Sequence, residues 1–155
     1  MDWLFKNENH IYSLRVAGVT VHNNCLLVQR EKGNYVYAIP GGHVRIGETL
    51  ADALIREYSE EMNFSIYSTR LLWTEECFGS WSGFSNHTIT FYYLIELLGN
   101  YDFIENSFHP HNDNQELEYG WVPLEQLEEI EIYPDFIKQE IHVLDHTPKH
   151  FITRT

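Results

Sequence analysis

The chain has little of what marks several common classes of protein. Its 155 residues include two cysteines, Cys25 and Cys77, too few for the disulfide framework of a small secreted protein. No apolar run approaches the length of a membrane span, no signal peptide is visible at the first residues, and no repeat, linker or low-complexity segment is present. We therefore expect one cytoplasmic domain over residues 1–155, with buried thiols and a tail at about 146–155.

Basic residues are also scarce. Ten Lys and Arg stand against 23 Asp and Glu, a formal net charge of −13 at pH 7. A surface this acidic repels a polyphosphate backbone, and the sequence has no basic patch interleaved with aromatic residues. Long nucleic acid and membrane are therefore not expected as partners, whereas a small phosphorylated metabolite that arrives with a divalent cation is compatible. The sequence leaves open whether the chain forms a homodimer.

What the chain does have is the pattern of a mixed α/β domain, with 43% hydrophobic and 15% aromatic residues. The order strand, helix, strands, helix predicts a mixed sheet between helical layers. The predicted strands are 13–21 and 25–30, paired around a turn at 22–24, then 36–39, 65–78, 88–97 and 119–122 as the last. Loops are predicted at 79–83 and 100–116, a short helix at 123–127, and a final helix at 134–144.

The most informative segment runs from Gly42 to Phe64. Its residues Glu57, Glu60 and Glu61 are spaced i, i+3 and i+4, which places them within an arc of about 100° on one face of a helix. Like charges at this spacing repel each other by tenths of a kcal/mol, so a compensating cation is expected there. Carboxylate oxygens without Cys or His at the same spacing suit a hard divalent cation, Mg²⁺ or Mn²⁺.

The helix that carries these carboxylates is well marked at both ends. Thr49 is the predicted N-cap, with Asp52 reaching back to it, and Asn63 is the predicted left-handed C-cap. The preceding segment 40–42, Pro-Gly-Gly, disfavours regular structure and lets backbone approach a ligand closely. The apolar stripe predicted to face the core comprises Ala51, Leu54, Ile55, Tyr58 and Met62.

This arrangement resembles the Nudix box of the MutT-like Nudix hydrolases: Gly, five residues, Glu, seven residues, Arg-Glu, an aliphatic residue, any residue, Glu-Glu, any residue, Gly, an aliphatic residue. Asn63 replaces the second glycine, a mild change because Asn adopts positive φ more readily than most residues. Tyr58 and Phe64 stand at aliphatic positions and alter core volume rather than chemistry. The alternative to a metal site is an ordinary amphipathic helix whose acidic face is exposed to solvent. The matching positions are Gly42, Glu48, Arg56, Glu57, Glu60 and Glu61.

The resemblance extends over about residues 14–141 and implies a Nudix-type α/β/α sandwich. It implies hydrolysis of a pyrophosphate linkage in a small nucleoside diphosphate derivative, such as an NTP or dNTP, an oxidised nucleotide or a nucleotide sugar. Glu48 and Arg56 look like the ion pair that locks the helix to the loop before it. The implied metal ligands are Glu57, Glu60 and Glu61, with a backbone carbonyl of Gly41 or Gly42. The sequence does not fix the general base, which in this family is a box glutamate or a later one. Glu116 and Glu118 are candidates for a base or metal role, and the alternative is that both are ordinary loop acids.

Further candidates have weaker signals. His43 lies inside the box and is a candidate phosphate contact, and His109 and His111 are a weak candidate metal pair. Gly79 and Ser80 stand near where ADP-ribose hydrolases of this family tend to carry a proline, which demotes that substrate without selecting another. Core packing is the commoner role of aromatic residues at strand ends, but three rings here are also candidates to stack on a nucleobase: Phe78, Trp81 and Phe84.

Two other functions stay open. A Nudix-like regulator would bind nucleotide without turnover, although the intact acidic set argues against it. An isomerase of the isopentenyl diphosphate type would need a catalytic cysteine, supplied by Cys25 or Cys77.

Overall fold

The computed structural model describes residues 1–145 and 147–155. Within this part of the chain, no helix combines the length and the hydrophobicity that a membrane crossing needs. The strands are β1 Leu4–Asn7, β2 His10–Val19, β3 Val21–His22, β4 Cys25–Glu31, β5 Val36–Ala38, β6 Gly41–His43, β7 Ser65–Trp81, β8 Phe84–Leu98, β9 Phe108–Pro110, β10 Leu117–Pro123, β11 Glu131–Tyr133 and β12 Lys149–Arg154. The helices are α1 Leu50–Met62, a 3₁₀ helix Leu124–Glu129, and α2 Ile137–Glu140.

The strands form two mixed sheets. The first has the order β1-β2-β8-β7-β12, with β6 added to β2, and the second has the order β11-β5-β4-β10-β9, with β3 added to β4. In the first sheet β8 runs parallel to β2 and antiparallel to β7. The predicted α/β class with mixed β-structure is therefore confirmed, and the strands divide between two sheets.

Helices cover hydrophobic cores on opposite sides of β2. Val16 packs in the core that contains Leu54 of α1, whereas the next residue, Ala17, packs in the core that contains Ile137 of α2. Because successive side chains of a strand point to opposite faces, β2 is buried on both sides. This explains why its sequence is almost continuously apolar from Val16 to Val19.

The capping signals of α1 are present in the structure. The Thr49 hydroxyl accepts a hydrogen bond from the Asp52 N–H at 3.1 Å and donates one to the Asp52 carboxylate at 2.7 Å. Asn63 has φ 55° and ends the helix in the left-handed conformation. The prediction that Ile55 faces the core was wrong, because its side chain is 43% exposed. The buried face of α1 includes Ala53 instead.

The tyrosine in the box is accommodated by a glycine on β2. Tyr58 is fully buried, and its hydroxyl donates a hydrogen bond to the Gly18 carbonyl at 2.9 Å. A Cβ on Gly18 would lie 2.9 Å from that hydroxyl and 2.9 Å from Ile95, closer than real contacts allow. The larger side chain at the aliphatic position therefore fits because residue 18 has none.

The predicted pairing of 13–21 with 25–30 was wrong. Strand β2 belongs to the first sheet, and only the two residues of β3 pair with β4. The turn between them is tight, since Asn23 and Asn24 have φ 48° and 57°, as in two-residue hairpins. Local alternation marked the strands, but β2 pairs with β1, β6 and β8, and β8 lies about 70 residues later in the chain.

Two other boundaries also differ from prediction. The expected loop 79–83 is mostly strand, because β7 runs to Trp81 and the turn consists of Ser82 and Gly83, both at positive φ. The predicted 123–127 helix is present as the 3₁₀ helix after Pro123, whereas the final helix is shortened to α2, Ile137–Glu140.

The segment expected to be a tail contains a strand. Lys149–Arg154 forms β12, which pairs in parallel with β7. Phe151 of β12 stacks on Phe136 with ring centroids 3.8 Å apart. The prediction of a tail was therefore wrong for these residues, and its first residue, His146, lies outside the described part of the chain.

Candidate active site

Arg56 is the centre of the polar network on α1. Its guanidinium makes two hydrogen bonds to Glu48, from Nε at 2.8 Å and from Nη2 at 2.9 Å. Nη2 also donates to the His43 carbonyl at 3.1 Å, and Nη1 donates to Glu57 at 2.6 Å. The structure thus contains the ion pair that the sequence predicts, and that pair ties the helix to the segment before it.

This contact has a direct electrostatic consequence. The Arg56 side chain, with the Arg45 N–H, lowers the pKa of Glu48 to about 2. The paired carboxylate in turn raises the pKa of Arg56 above its usual value. Since both side chains are only about 15% exposed, water screens the pair less than it would screen a surface ion pair.

Replacing Glu48 with Gln should therefore lower the free energy of unfolding in a pH-dependent way. The folded pKa lies below the ordinary 4.5, so the contribution is full above pH 4.5 and is lost as pH falls towards 2. We expect a loss of about 2 to 3 kcal/mol at pH 7 and less than half of that near pH 3. Urea unfolding at both pH values, with Glu129→Gln as an exposed-acid control, measures it. An equal loss at both pH values contradicts the assignment.

The three glutamates of the acidic face have different surroundings. Glu57 and Glu61 are 13% and 12% exposed, whereas Glu60 is 46% exposed and lies 3.8 Å from Arg45. Burial, followed by the charges of Glu57 and Asp113, raises the pKa of Glu61 to about 8. Among the described residues, Glu61 Oε2 has no hydrogen-bond partner.

These surroundings fit a bound cation. Glu61 is buried next to Glu57 and Asp113 and close to the C-terminal end of a helix, all of which disfavour its ionised form. A hard divalent cation would reverse that preference and occupy the unpartnered oxygen. The carboxylates are not gathered in advance, since no three His, Cys, Asp or Glu side chains in the described ranges are arranged to hold a metal. One reason is that Glu57 is paired with Arg56.

The glycines before the helix permit close approach of backbone and side chains. The prediction of an irregular segment was wrong here, because Gly41–His43 forms β6 and pairs with β2. A Cβ on Gly42 would lie 2.5 Å from both carboxylate oxygens of Glu57, and one on Gly41 would collide with the backbone of β2. Packing therefore requires glycine at residue 41, whereas a side chain at residue 42 would displace the Glu57 carboxylate. A metal-ligand role for the Gly42 carbonyl stays a prediction.

The loop between β9 and β10 closes over the end of α1. The Asn112 N–H donates to the Glu61 carbonyl at 2.7 Å, and His111 Nδ1 lies 3.9 Å from Glu61 Oε2. His111 is 1% exposed, and within the described structure neither ring nitrogen has a hydrogen-bond partner. Burial lowers its pKa. The rings of His109 and His111 both lie near that of Tyr119, at 5.7 and 6.0 Å between centroids, but of the two histidines it is His111 that lies beside Glu61.

The later glutamates do not join this group. Glu118 is paired with Arg30 at 3.1 Å, and Glu116 lies exposed on the loop. The loop acid that acts on Glu61 is Asp113, which the sequence reasoning missed. In the sequence Asp113 is an acidic residue two positions after a histidine in a polar loop, and this pattern is too common to single out a site residue.

A cavity of about 760 Å³ is lined by Arg15, a residue of β2 that is in register with His43 of the box. Three of its lining residues are in register across neighbouring strands, because Arg15 pairs with Thr90 and Thr90 with Glu75. On its other side Arg15 pairs with His43, which does not line the cavity. Within the described part of the chain Arg15 makes no ion pair, and its charge acts on His43 and Glu61. The sequence reasoning missed Arg15 and Glu75, whose signal is a charge inside a strand that is otherwise buried.

The aromatic residues chosen from the sequence lie elsewhere. Phe78 stacks on His87 at 4.2 Å and lines a different groove from this cavity. Trp81 is 69% exposed at the end of β7, and Phe84 lies under Lys6 at 3.9 Å. The rings that line the cavity are those of Tyr92, Tyr133, Phe136 and Phe151.

The two thiols are poor nucleophiles. Burial raises the pKa of Cys25, with Glu105 adding to it, and burial and Glu75 raise that of Cys77. Cys77 lines the cavity, but a thiol with a raised pKa stays protonated at neutral pH. These surroundings disfavour the isomerase alternative.

The comparison with known families decides the classification. The NUDIX domain profile matches residues 12–141. The chain belongs to the Nudix family. The predicted resemblance, based on Gly42–Phe64, is confirmed, as is the classification as a Nudix pyrophosphohydrolase at the level of the family.

Solved Nudix structures share the fold at low sequence identity. The Nudix hydrolase from Nitrosomonas europaea has a TM-score of 0.62 at 17% identity, covering 97% of this chain and 82% of that one. A UDP-X diphosphatase has a TM-score of 0.64 at 18% identity, covering 95% and 69%. An ADP-ribose pyrophosphatase from Streptococcus suis has a TM-score of 0.55 at 16% identity, covering 90% and 98%. No curated protein sequence matches significantly.

Proposed function

We propose that this Nudix protein is a metal-dependent hydrolase that cleaves a pyrophosphate linkage in a small nucleoside diphosphate derivative. The observation that carries the proposal is the largely buried Glu61 carboxylate, which has an unpartnered oxygen among the described residues. It is supported by Arg15, which lines the cavity and makes no ion pair in the described ranges. A cation and an anionic phosphate together satisfy both groups. The proposed cofactor is Mg²⁺ or Mn²⁺.

The proposed roles follow from these contacts. Glu57, Glu60 and Glu61, with the Gly42 carbonyl, are the proposed metal ligands. A divalent cation bound there supplies positive charge that offsets the phosphate oxygens and makes water more acidic. Arg56, held by Glu48, orients the Glu57 carboxylate.

Arg15 is the proposed phosphate anchor. Its guanidinium is half-buried and lies in register with His43, which is part of the box. Guanidinium groups bind phosphate through paired N–H donors. The cation and Arg15 together offset the repulsion between a phosphorylated substrate and a chain of net charge −13.

The substrate is proposed as a chemical class rather than as one compound. The names of two structural neighbours specify UDP-X and ADP-ribose, both nucleoside diphosphates joined to another group. NTPs, dNTPs, oxidised nucleotides and nucleotide sugars all stay candidates for this chain. The free cysteines suit a reducing compartment, so the cytoplasm is the proposed location.

One observation favours the regulator as a second candidate. Among the described residues no three carboxylates are arranged for a metal, and Glu57 is occupied by Arg56. A protein that binds nucleotide without turnover would tolerate that arrangement.

A substrate panel separates the two candidates. Product release should be measured with Mg²⁺ and with Mn²⁺ on dNTPs, oxidised dGTP, ADP-ribose, NADH, nucleotide sugars and dinucleoside polyphosphates. We expect turnover of at least one compound, abolished by EDTA and restored by the added metal. No turnover on any compound, with calorimetric binding of one of them, favours the regulator and contradicts the hydrolase.

A further inference from the structure

We infer that Glu75 determines substrate specificity by accepting hydrogen bonds from the part of the substrate that lies beyond the phosphates. This inference rests on the proposed function, because it assigns the cavity to that substrate. The moiety expected at Glu75 is a neutral group with two neighbouring N–H or O–H donors. The guanine base, with N1–H and its amino group, and a sugar with vicinal hydroxyls both have this chemistry.

The first support is the unusual environment of the carboxylate. Glu75 is 5% exposed, and it accepts hydrogen bonds from Tyr92 at 2.9 Å and from Thr153 at 2.7 Å. In the described part of the chain it has no salt-bridge partner. An ionised carboxyl group accepts about four hydrogen bonds, so acceptor capacity is left over. Buried charge without a cation is costly unless further donors satisfy it.

The second support is position. Glu75, Thr90 and Arg15 lie opposite one another on three neighbouring strands, β7, β8 and β2. Neighbouring strands are about 4.8 Å apart, so the backbones of Glu75 and Arg15 are separated by roughly 10 Å, a span comparable with a nucleoside. Phosphates held near Arg15 therefore leave the rest of the molecule pointing towards Glu75. A second phosphate there would be repelled, whereas a neutral donor group would not.

The third support is the wall around the carboxylate. Phe136 and Phe151 stack on each other at 3.8 Å, and Tyr92 meets Phe136 edge-on at 6.0 Å. Flat aromatic surfaces suit a base or the apolar face of a sugar ring. Phe151 and Thr153 belong to β12, so the last strand supplies both a wall and a hydroxyl that holds Glu75.

Ligand selectivity tests the inference. GMP, IMP, AMP and UMP, with UDP-glucose as the sugar arm, should be titrated by calorimetry without metal into the wild type and Glu75→Gln. Glu76→Gln is the matched control, because the neighbouring side chain points to the opposite face of β7 and pairs with His150. Thr153→Val tests the hydroxyl that positions Glu75. Thermal unfolding checks that each variant is folded.

The expected result is a preference of at least about 10-fold for one donor-bearing ligand, lost in Glu75→Gln and kept in Glu76→Gln. GMP over both IMP and AMP identifies a base. UDP-glucose over UDP, titrated beside it so that the number of phosphates is matched, identifies a sugar. Equal selectivity in wild type and Glu75→Gln overturns the inference, as does no binding of any ligand. Should Glu75→Gln be unfolded, Thr153→Val decides, because it removes the hydroxyl that holds the Glu75 carboxylate and should weaken the same preference.

Failure of the proposed function gives a different pattern. Selectivity that depends on Glu75, without any metal-dependent turnover, would contradict the proposed hydrolase activity, and the role assigned to Glu75 would still hold. If Glu75→Gln turns substrates over with the same kcat/KM ratios between them as the wild type, the role assigned to Glu75 is contradicted, and the proposed hydrolase activity still holds.

Discussion

Replacing Glu57 with Gln should lower turnover by at least about 100-fold, equivalent to about 3 kcal/mol. Gln keeps the size of the side chain and an oxygen that accepts from Arg56 Nη1, now at 2.6 Å. It removes the negative charge with which Glu57 would bind a cation. The measurement is kcat at saturating Mg²⁺ on whichever compound of the panel is cleaved, with Mn²⁺ affinity followed independently by electron paramagnetic resonance.

A control variant distinguishes the effect of removing the charge at residue 57 from the effect of removing an acidic charge elsewhere on the protein. Glu129→Gln makes the same change at an exposed residue of the 3₁₀ helix, and it should leave both kcat and Mn²⁺ affinity unchanged. The unfolding free energy of Glu57→Gln should stay within about 1 kcal/mol of the wild type. Turnover near the wild-type rate, with Mg²⁺ saturating, would refute the role of Glu57 as a metal ligand.

Arg56→Ala should have the largest effect on stability, lowering the free energy of unfolding by about 3 kcal/mol. Arg56 contacts Glu48, Glu57 and Glu60 at 2.8, 2.6 and 3.5 Å. Its removal leaves Glu48 and Glu57 largely buried without a cation, and it also removes the donor to the His43 carbonyl. Urea unfolding at pH 7 gives the value directly.

Arg56→Lys distinguishes geometry from charge. Lys keeps the positive charge but cannot make the two parallel hydrogen bonds to Glu48, so it should recover less than half of the lost stability. The effect should also shrink at high Mg²⁺, because a cation bound to Glu57 relieves part of the repulsion. Full recovery by Lys, or a loss below about 1 kcal/mol in Arg56→Ala, would contradict the network as described.

The helix at the site was predictable because its determinants are local. Thr49 and Asn63 mark its ends, and the spacing of Glu57, Glu60 and Glu61 places all three on one face. The contact of Arg56 with Glu48 spans eight residues, from the helix to the loop just before it. Such contacts follow from helix geometry and capping, so a linear motif records them.

The substrate side of the site was not predictable in the same way. The row of residues in register that lines the cavity comes from β2, β8 and β7, whose pairing no local pattern specifies. The residues expected to stack on a base, Phe78 and Trp81, lie on the far part of the β7–β8 hairpin. Which aromatic residue meets a cavity depends on strand register, and a shift of one residue reverses the face of every side chain.

The sequence by itself determined the family, the acidic helix and its ion pair. A helix places residues three and four positions apart on one face wherever it forms, and Glu48, the partner of Arg56, directly precedes the N-cap. Only the tertiary structure decided that the strands divide into two sheets and that residues 149–154 form β12. It also brought His111 and Asp113 to Glu61 and aligned Arg15 with Glu75. These contacts join residues from 50 to about 80 positions apart, and packing between distant strands and loops decides them.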